Sequence, residues 1–143
     1  MASPTIFLSY SWRDRTMADH VQNVLEDGGV RVIRDTKEAT GDVMQWIPYA
    51  IDKADVFVPL VSPNYHASEY CRLEAEYAFK NRKPILPFMI AAPYFGAGWL
   101  SFIIGTKLHV EANRLDQLVE SKTVIVIELK RLAKTYRQQR RAA

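Results

Sequence analysis

The chain is poor in cysteine, and its single thiol, Cys71, cannot form an internal disulfide. No positively charged start followed by an apolar stretch opens the sequence, because Arg13, Asp14 and Arg15 come early. Disulfides are rare in reducing compartments, so we expect a cytoplasmic protein. A length of 143 residues predicts a single domain over 1–143, because it suffices for one hydrophobic core and is too short for two ordinary ones.

The sequence also lacks an unbroken apolar run long enough to cross a membrane. Residues 84–106 carry no charge and are long enough to cross a bilayer. The run is interrupted by prolines and glycines, which are Pro84, Pro87, Pro93, Gly96, Gly98 and Gly105. A helix exposed to lipid would not tolerate so many breaks. We therefore interpret this stretch as a buried strand followed by an apolar loop, in a soluble protein with no membrane partner.

Positive charge is scarce outside the end of the chain. The formal net charge is +3, from 19 Lys and Arg against 16 Asp and Glu. Six of the basic residues lie in 130–143, namely Lys130, Arg131, Lys134, Arg137, Arg140 and Arg141. The rest of the chain has 13 basic and 16 acidic residues and no basic stripe interleaved with aromatics, so nucleic acid is not an expected partner. We interpret 130–143 as the basic end of a C-terminal helix or a linker to a possible further domain.

Several chemistries lack their motifs. Neither phosphate-binding glycine pattern follows the first predicted strand. The histidines are scattered and there is one cysteine, so no zinc pattern is present and no metal is expected. The first and third predicted strands do not end in the carboxylates that a Mg²⁺-dependent phosphoacceptor needs. A nucleophile pair of Cys71 and His66 can be drawn, but a lone cysteine on the apolar side of a helix is more typical of core packing.

Strand and helix patterns alternate along the chain. Apolar strands are predicted at 5–10, 30–33, 56–61, 84–90 and, more weakly, 106–110. Helices are predicted over 17–25 with a stop at Gly28-Gly29, around 44–51 with Pro48 near the first turn, from the Ser68 cap to Asn81, and from Val124 onward. This order implies an α/β fold, a parallel sheet covered by helices on both faces. In such sheets ligands bind beyond the carboxyl ends of the strands.

Glu74 is the unusual residue of the helix that begins at Ser68. On a helical wheel it lies in the middle of an apolar and aromatic arc formed by Tyr70, Cys71, Leu73, Tyr77 and Ala78. An ionised carboxylate facing a core is costly unless a cation or hydrogen bonds meet it. We therefore expect a ligand site at Glu74. On periodicity alone, a Glu at the core edge satisfied by a backbone amide or an Arg is an equal alternative.

Four segments, in the right order over nearly the whole chain, resemble a Toll/interleukin-1 receptor (TIR) domain. They are Ile6-Phe7-Leu8-Ser9-Tyr10-Ser11, the run from Arg34-Asp35 through Thr40-Gly41-Asp42 to Ile47, the stretch Val58 to Tyr65 followed by Ser68-x-Tyr70-Cys71-x-x-Glu74, and Phe95 to Leu100. The resemblance implies a five-stranded parallel sheet in flavodoxin-like order. Many family members cleave NAD⁺ at the nicotinamide–ribose bond with the Glu of this motif, and others are adaptors that assemble without catalysis.

The resemblance implies a set of site residues. Glu74 matches the catalytic position, with NAD⁺ as substrate and no separate cofactor. Tyr70 takes the aromatic place before the cysteine, where a ring would stack on nicotinamide or adenine. The loop after the first strand offers Tyr10, Ser11, Trp12 and Arg13 to base, ribose or phosphate. For each of these side chains, packing at the rim or exposure to solvent is an equal alternative.

The resemblance also implies assembly with other TIR domains, as a homo-oligomer or filament that completes the pockets. The loop after the second strand, with Asp35, Gly41 and Asp42, would dock on a neighbouring domain, and Trp46 beside it would cover the pocket or a subunit contact. The expected function is an NAD⁺ glycohydrolase in immune or cell-death signalling. A non-enzymatic TIR scaffold is the rival hypothesis, and nucleotide binding without turnover is a third.

Overall fold

The fold was analysed in a computed structural model, which describes residues 3–34, 43–91, 94, 96–105 and 107–142, without the side chains of 43–45. Its strands are β1 (Thr5–Ser9), β2 (Arg31–Ile33), β3 (Val56–Val61), β4 (Phe88–Met89) and β5 (Val110–Glu111). Its α-helices are α1 (Arg15–Asp27), α2 (Val43–Lys53), α3 (Pro63–His66), α4 (Glu69–Lys80), α5 (Gly98–Ile104), α6 (Leu115–Glu120) and α7 (Lys122–Ala142). A short 3₁₀ helix over Trp12–Asp14 precedes α1.

The strands form one parallel sheet in the order β2-β1-β3-β4-β5. This is the flavodoxin-like order, so the predicted fold class is confirmed. In the central pair, Ile6 lies opposite Val56 and Ser9 opposite Pro59. The carboxyl ends of β1 and β3 therefore lie side by side, and the loops that leave them meet at one edge of the sheet.

Hydrophobic side chains cover both faces of the sheet. Alternate residues of β1 point to opposite faces, so that Ile6 and Leu8 pack with α1 and α7, whereas Phe7 packs with α2, α4 and α5. The Phe7 and Phe57 rings stack with centroids 5.9 Å apart. Every residue of β3 is buried, which explains why this strand is continuously apolar in sequence.

The predicted helix boundaries at Gly28-Gly29, Ser68 and Asn81 are confirmed. Gly29 has φ +89°, a conformation that glycine adopts at little cost, and the Val30 N–H donates to the Leu25 carbonyl at 3.0 Å. Ser68 caps α4 because its Oγ accepts from the Cys71 N–H at 3.1 Å, and Asn81 caps the other end. Local capping chemistry was therefore readable from the sequence.

Two local predictions were wrong. Pro48 lies inside α2 and not near its first turn. One helical hydrogen bond is lost there, and the burial of Ile47, Ala50 and Ile51 offsets that loss. The apolar loop predicted after the fourth strand contains α5, which buries Leu100, Ile103 and Ile104.

The edge of the sheet near β4 also differs from the prediction. The strand expected over 84–90 is reduced to Phe88–Met89 and an isolated bridge between Ile85 and Phe57, because Pro84 and Pro87 have no N–H to donate. The fifth strand lies at Val110–Glu111, shifted from 106–110. The short helices α3 and α6 were not predicted. Within the described ranges, the longest helices are too polar and the apolar ones too short to cross a membrane.

Candidate active site

Buried polar side chains lie at both edges of the sheet. At the amino edge, Asp55 accepts two hydrogen bonds from Arg137 at 2.9 and 2.6 Å. Lys83 Nζ donates to the Ala54 carbonyl and the Tyr136 hydroxyl, both at 2.7 Å. Both of these buried charged residues bind side chains of α7, and they attach this helix to the sheet. The remaining buried polar residues of the described ranges lie at the carboxyl edge, and they are Ser9, Ser11, Ser62 and Glu74.

Glu74 is the one carboxylate among those buried residues of the carboxyl edge, with 6% of its surface exposed. Ser9 Oγ donates to Glu74 Oε1 at 2.6 Å, and Tyr65 Oη lies 2.8 Å from Ser9 Oγ. A serine hydroxyl has one proton, and here it goes to Glu74, so Tyr65 is the donor to Ser9. We call this chain of three side chains, Tyr65 to Ser9 to Glu74, the hydroxyl relay.

Local structure places each member of the relay. Ser9 is the last residue of β1 and points to the same face as Phe7. Ser62 follows β3 and caps α3 by accepting from the Tyr65 N–H at 3.0 Å. The Ser68 cap starts α4, which carries Glu74. One strand end and two capped helices therefore converge on the carboxylate.

The titratable neighbours of Glu74 stay protonated at neutral pH. Burial, with smaller contributions from the nearby Cys71 and Glu74 charges, raises the pKa of Tyr65 well above its ordinary value. Burial raises the pKa of Cys71 to about 12, so the thiolate needed for a Cys71–His66 nucleophile pair is not formed near pH 7. Cys71 packs as a core residue, 2% exposed.

The helical wheel was wrong about Leu73, which is 46% exposed. The buried residues of α4 are Cys71, Glu74, Ala75 and Ala78, so the wheel was right about Cys71, Glu74 and Ala78 and did not include Ala75. Small alanines allow a helix to lie close to its neighbours, and a wheel that ranks residues by hydrophobicity does not detect this. Tyr70, one turn before Glu74, is half-buried and packs on this side of the sheet.

Of the residues predicted from the first loop, Ser11, Trp12 and Arg13 lie in the turn that follows β1, whereas Tyr10 packs on the opposite face of the sheet from Ser9 and Glu74. Ser11 is buried, and its Oγ accepts from the Arg13 N–H at 3.3 Å, so this hydroxyl caps the 3₁₀ helix. Trp12 is 45% exposed, with the Arg15 guanidinium 5.3 Å from its ring centroid. The Arg13 side chain is exposed.

Two polar residues near the rim were not selected from the sequence. Asp14 accepts from Ser62 Oγ at 2.6 Å and from Asn64 Nδ2 at 3.0 Å, which ties the first loop to α3. The Arg34 guanidinium lies 4.9 Å from the centroid of the half-buried Tyr10 ring and pairs with Asp19. Neither contact has a local sequence signal, because the partners are far apart in the chain.

Aromatic rings from α3 and the region around α5 border the relay. The Trp99 ring centroid lies 6.2 Å from that of Tyr65 and 5.9 Å from that of His66. Trp99 Nε1 donates to the His66 carbonyl at 3.3 Å, and Tyr94 lies 6.5 Å from His66 on the same side. We call Tyr65, His66, Tyr94 and Trp99 the aromatic wall. No local pattern predicts this wall, because His66 and Trp99 are 33 residues apart in the chain.

The predicted assembly residues are only partly visible. Asp35, Gly41 and Asp42 lie outside the described residues. Trp46 is in α2 and is 42% exposed. In the part of the chain that the structure describes, no group of three or more His, Cys, Asp or Glu side chains is placed to hold a metal ion.

Comparison with known families identifies the fold. A family model described as a TIR domain matches residues 6–127, and the chain belongs to the TIR domain family. No curated protein sequence matches the chain significantly.

Solved structures agree with this assignment. The TIR domain of the Toll-related receptor TRR-2 from Hydra magnipapillata superposes with a TM-score of 0.70 at 12% identity, over 87% of this chain and 97% of that one. The CMP N-glycosidase BcmB from Clostridium botulinum gives 0.59 at 16% identity, over 85% and 98%. The TIR domains of the activated Roq1 resistosome, which recognises the pathogen effector XopQ, give 0.51 at 19% identity, over 94% and 84%. At these identities the likeness concerns the fold.

Proposed function

We propose that this TIR domain is an NAD⁺ glycohydrolase that cleaves the bond between nicotinamide and ribose, with Glu74 as its catalytic residue. The observation that carries the proposal is a carboxylate 6% exposed at the carboxyl edge of a parallel sheet, with Oε1 held by Ser9. Ligands of such sheets bind at this edge. Burying an ionised carboxylate lowers the stability of the fold. A residue kept at such a cost is better explained by a functional role than by a structural one.

A single carboxylate is sufficient for this reaction. Ordinary glycosidases use two, because an alkoxide leaving group must be protonated. Nicotinamide leaves when the bond between its ring nitrogen and ribose C1′ breaks and the electron pair goes to the nitrogen, which loses its positive charge. The ribose becomes an oxocarbenium-like cation, and water adds to C1′ and releases a proton to give ADP-ribose. Glu74 would stabilise the cation in a partly dry pocket more than it stabilises the substrate.

The comparisons support the proposal at the level of the fold. By its name, the BcmB protein cleaves an N-glycosidic bond of CMP, which is the same class of bond as that between nicotinamide and ribose. The Roq1 TIR domains belong to an activated assembly. We propose that this chain likewise acts when its TIR domains cluster as a homo-oligomer, through the loop with Asp35, Gly41 and Asp42 and the exposed Trp46.

The remaining predicted residues would bind the substrate. Tyr70 and the partly exposed rings of the aromatic wall, which are those of His66, Tyr94 and Trp99, would stack on the nicotinamide or adenine ring, because aromatic faces stack on planar bases. Tyr10, Ser11, Trp12 and Arg13 would contact the base, ribose and phosphates from the first loop. A cytoplasmic location and a role in immune or cell-death signalling complete the proposal.

The experiment is nicotinamide release from NAD⁺ by concentrated or artificially clustered protein, with chromatography of the products. Glu74→Gln is compared with Glu76→Gln, a matched carboxylate of the same helix that is 47% exposed and pairs with Arg72. We expect Glu74→Gln to lower kcat by about 10²- to 10³-fold and Glu76→Gln to leave it within about threefold.

Each negative result has a defined meaning. Full activity in Glu74→Gln would overturn the catalytic assignment. No nicotinamide release from folded, clustered wild-type protein would favour the non-enzymatic scaffold. Saturable NAD⁺ binding without release, measured by calorimetry, would favour a nucleotide-binding module.

A further inference from the structure

The hydroxyl relay is a continuous, directional chain of hydrogen bonds that ends on a carboxylate. Tyr65 is 0% exposed, Ser9 1% and Glu74 6%. The Ser9 contact to Glu74, at 2.6 Å, has the length of the stronger class of hydrogen bond made to an ionised acceptor, and the Tyr65 contact to Ser9, at 2.8 Å, has the ordinary length for two hydroxyls. Ser9 donates its single proton to Oε1 of Glu74, so the Tyr65 hydroxyl is the donor to Ser9.

We infer that Ser9 is a positioning residue, which fixes Oε1 of Glu74 and favours its ionised form, and that Tyr65 acts through Ser9 by orienting its hydroxyl. This inference rests on the proposed function of Glu74. A carboxylate in a buried position prefers to bind a proton. Two successive donors that polarise each other oppose that preference, so the anion is present before the substrate cation arrives.

The relay also fixes the orientation of the Glu74 carboxylate. Ser9 holds Oε1 from the last residue of β1, a strand that is paired with a neighbour on each side. Rotation of the carboxylate would break this hydrogen bond, so the orientation of Glu74 toward a ribose is set in advance. Preorganised charge of this kind costs nothing to rearrange when the transition state forms.

Among the described residues, the titratable groups near Glu74 are Tyr65, Cys71 and Asp14, with His66 next to Tyr65 in α3. Tyr65 from α3 and Cys71 from α4 remain protonated between acidic and neutral pH, because burial raises the pKa of each. Asp14, at the end of the 3₁₀ helix, accepts hydrogen bonds from the side chains of Ser62 and Asn64. A pH effect that depends on Ser9 therefore reports on Glu74.

The test uses Ser9→Ala, Tyr65→Phe and the double variant, with kcat and KM for NAD⁺ measured from about pH 5 to about pH 9. Cys71→Ala is the control, because it alters a buried side chain of the same helix that has no part in the relay. We expect Ser9→Ala to lower kcat by about 10- to 100-fold. This is the factor that corresponds to the loss of one hydrogen bond to a charged group. KM should change less than kcat, and the acid limb of the pH profile should move to higher pH.

Tyr65→Phe should give a smaller loss with the same shift of the acid limb. The double variant should be no less active than Ser9→Ala alone, because Tyr65 acts through Ser9. Losses that multiply would show that Tyr65 acts independently and would overturn its assigned role. An unchanged pH profile in Ser9→Ala, in protein shown to be folded by circular dichroism, would overturn the role of Ser9.

A second measurement separates this inference from the proposed function. A ¹³C NMR titration follows the Glu74 carboxyl in wild type, Ser9→Ala and Tyr65→Phe without any turnover. A titration midpoint moved to higher pH in both variants supports the relay even if wild type releases no nicotinamide. Unmoved midpoints in an active enzyme would refute the relay and leave the proposed function intact. If Ser9→Ala does not fold, Tyr65→Phe, which removes one oxygen, carries the same test.

Discussion

Ser9 and Glu74 are 65 residues apart in the chain, and Ser9 Oγ lies 2.6 Å from Glu74 Oε1 in the finished fold. One residue ends the first strand and the other lies in the middle of a helix after the third. Their contact is possible because β1 and β3 are neighbours in the sheet. The site therefore depends on the strand order, which places β1 beside β3.

The buried charge of Glu74 leads to a prediction about stability. We expect Glu74→Gln to raise the free energy of unfolding at neutral pH by about 0.5–2 kcal/mol while activity is lost, because a neutral side chain of the same shape is cheaper to bury. Glu76→Gln, at an exposed ion pair, should change it by less than about 0.5 kcal/mol. Urea unfolding curves measure both, and a loss of stability in Glu74→Gln would contradict the prediction.

Cys71 should make stability depend on alkaline pH. Its pKa is raised by burial from 9.0 to about 12 in the folded protein, so the unfolded chain loses this proton first. The contribution of the thiol is complete below about pH 9 and is lost as pH rises toward 12, with about 1.4 kcal/mol gone at pH 10. The comparison is urea unfolding of wild type and Cys71→Ala at several pH values. A constant difference between the two proteins would disprove the shift.

The pairing of Arg137 with Asp55 should hold the C-terminal helix in place. Asp55 is 8% exposed and also accepts from the Thr5 N–H at 2.9 Å. Arg137→Ala leaves this carboxylate without its cation and should cost about 1–3 kcal/mol of unfolding free energy, whereas the exposed Lys134→Ala should cost less than about 0.5.

In Asp55→Asn/Arg137→Ala the total loss should be smaller than the sum of the single losses, because no uncompensated charge remains. Thermal unfolding measures these differences. Additive losses would show that the pair is not coupled. Nicotinamide release should be unchanged in all these variants below their melting temperatures, since they alter the opposite edge of the sheet.

A side chain at Gly28 should destabilise the junction of α1 and α7. A Cβ at this position would lie 2.6 Å from Val126 Cγ2, closer than atoms pack. We expect Gly28→Ala to cost about 1–3 kcal/mol. The cost should shrink in a Val126→Ala background, which removes the clashing methyl group. Equal costs in both backgrounds, from chemical denaturation, would show that backbone effects and not this contact are responsible.

The elements that the sequence predicted correctly depend on local chemistry. The buried run of β3, the glycine stop after α1 and the serine cap of α4 involve residues within a few positions of each other, and short-range propensities decide them. The failures involve packing. Leu73 is apolar and exposed, while α5 forms inside a stretch rich in glycine and proline because Leu100, Ile103 and Ile104 are buried against other elements.

By itself, the sequence determined the alternation of strands and helices, the burial of the central strand and the inward-facing position of Glu74, because periodicity and motif spacing are properties of neighbouring residues. Only the tertiary structure decided that Ser9 and Tyr65 meet this carboxylate. A hydrogen bond forms over about 3 Å, and no local pattern specifies which distant hydroxyl will come that close. The convergence of β1, α3 and α4 at one edge of the sheet brings the three groups together.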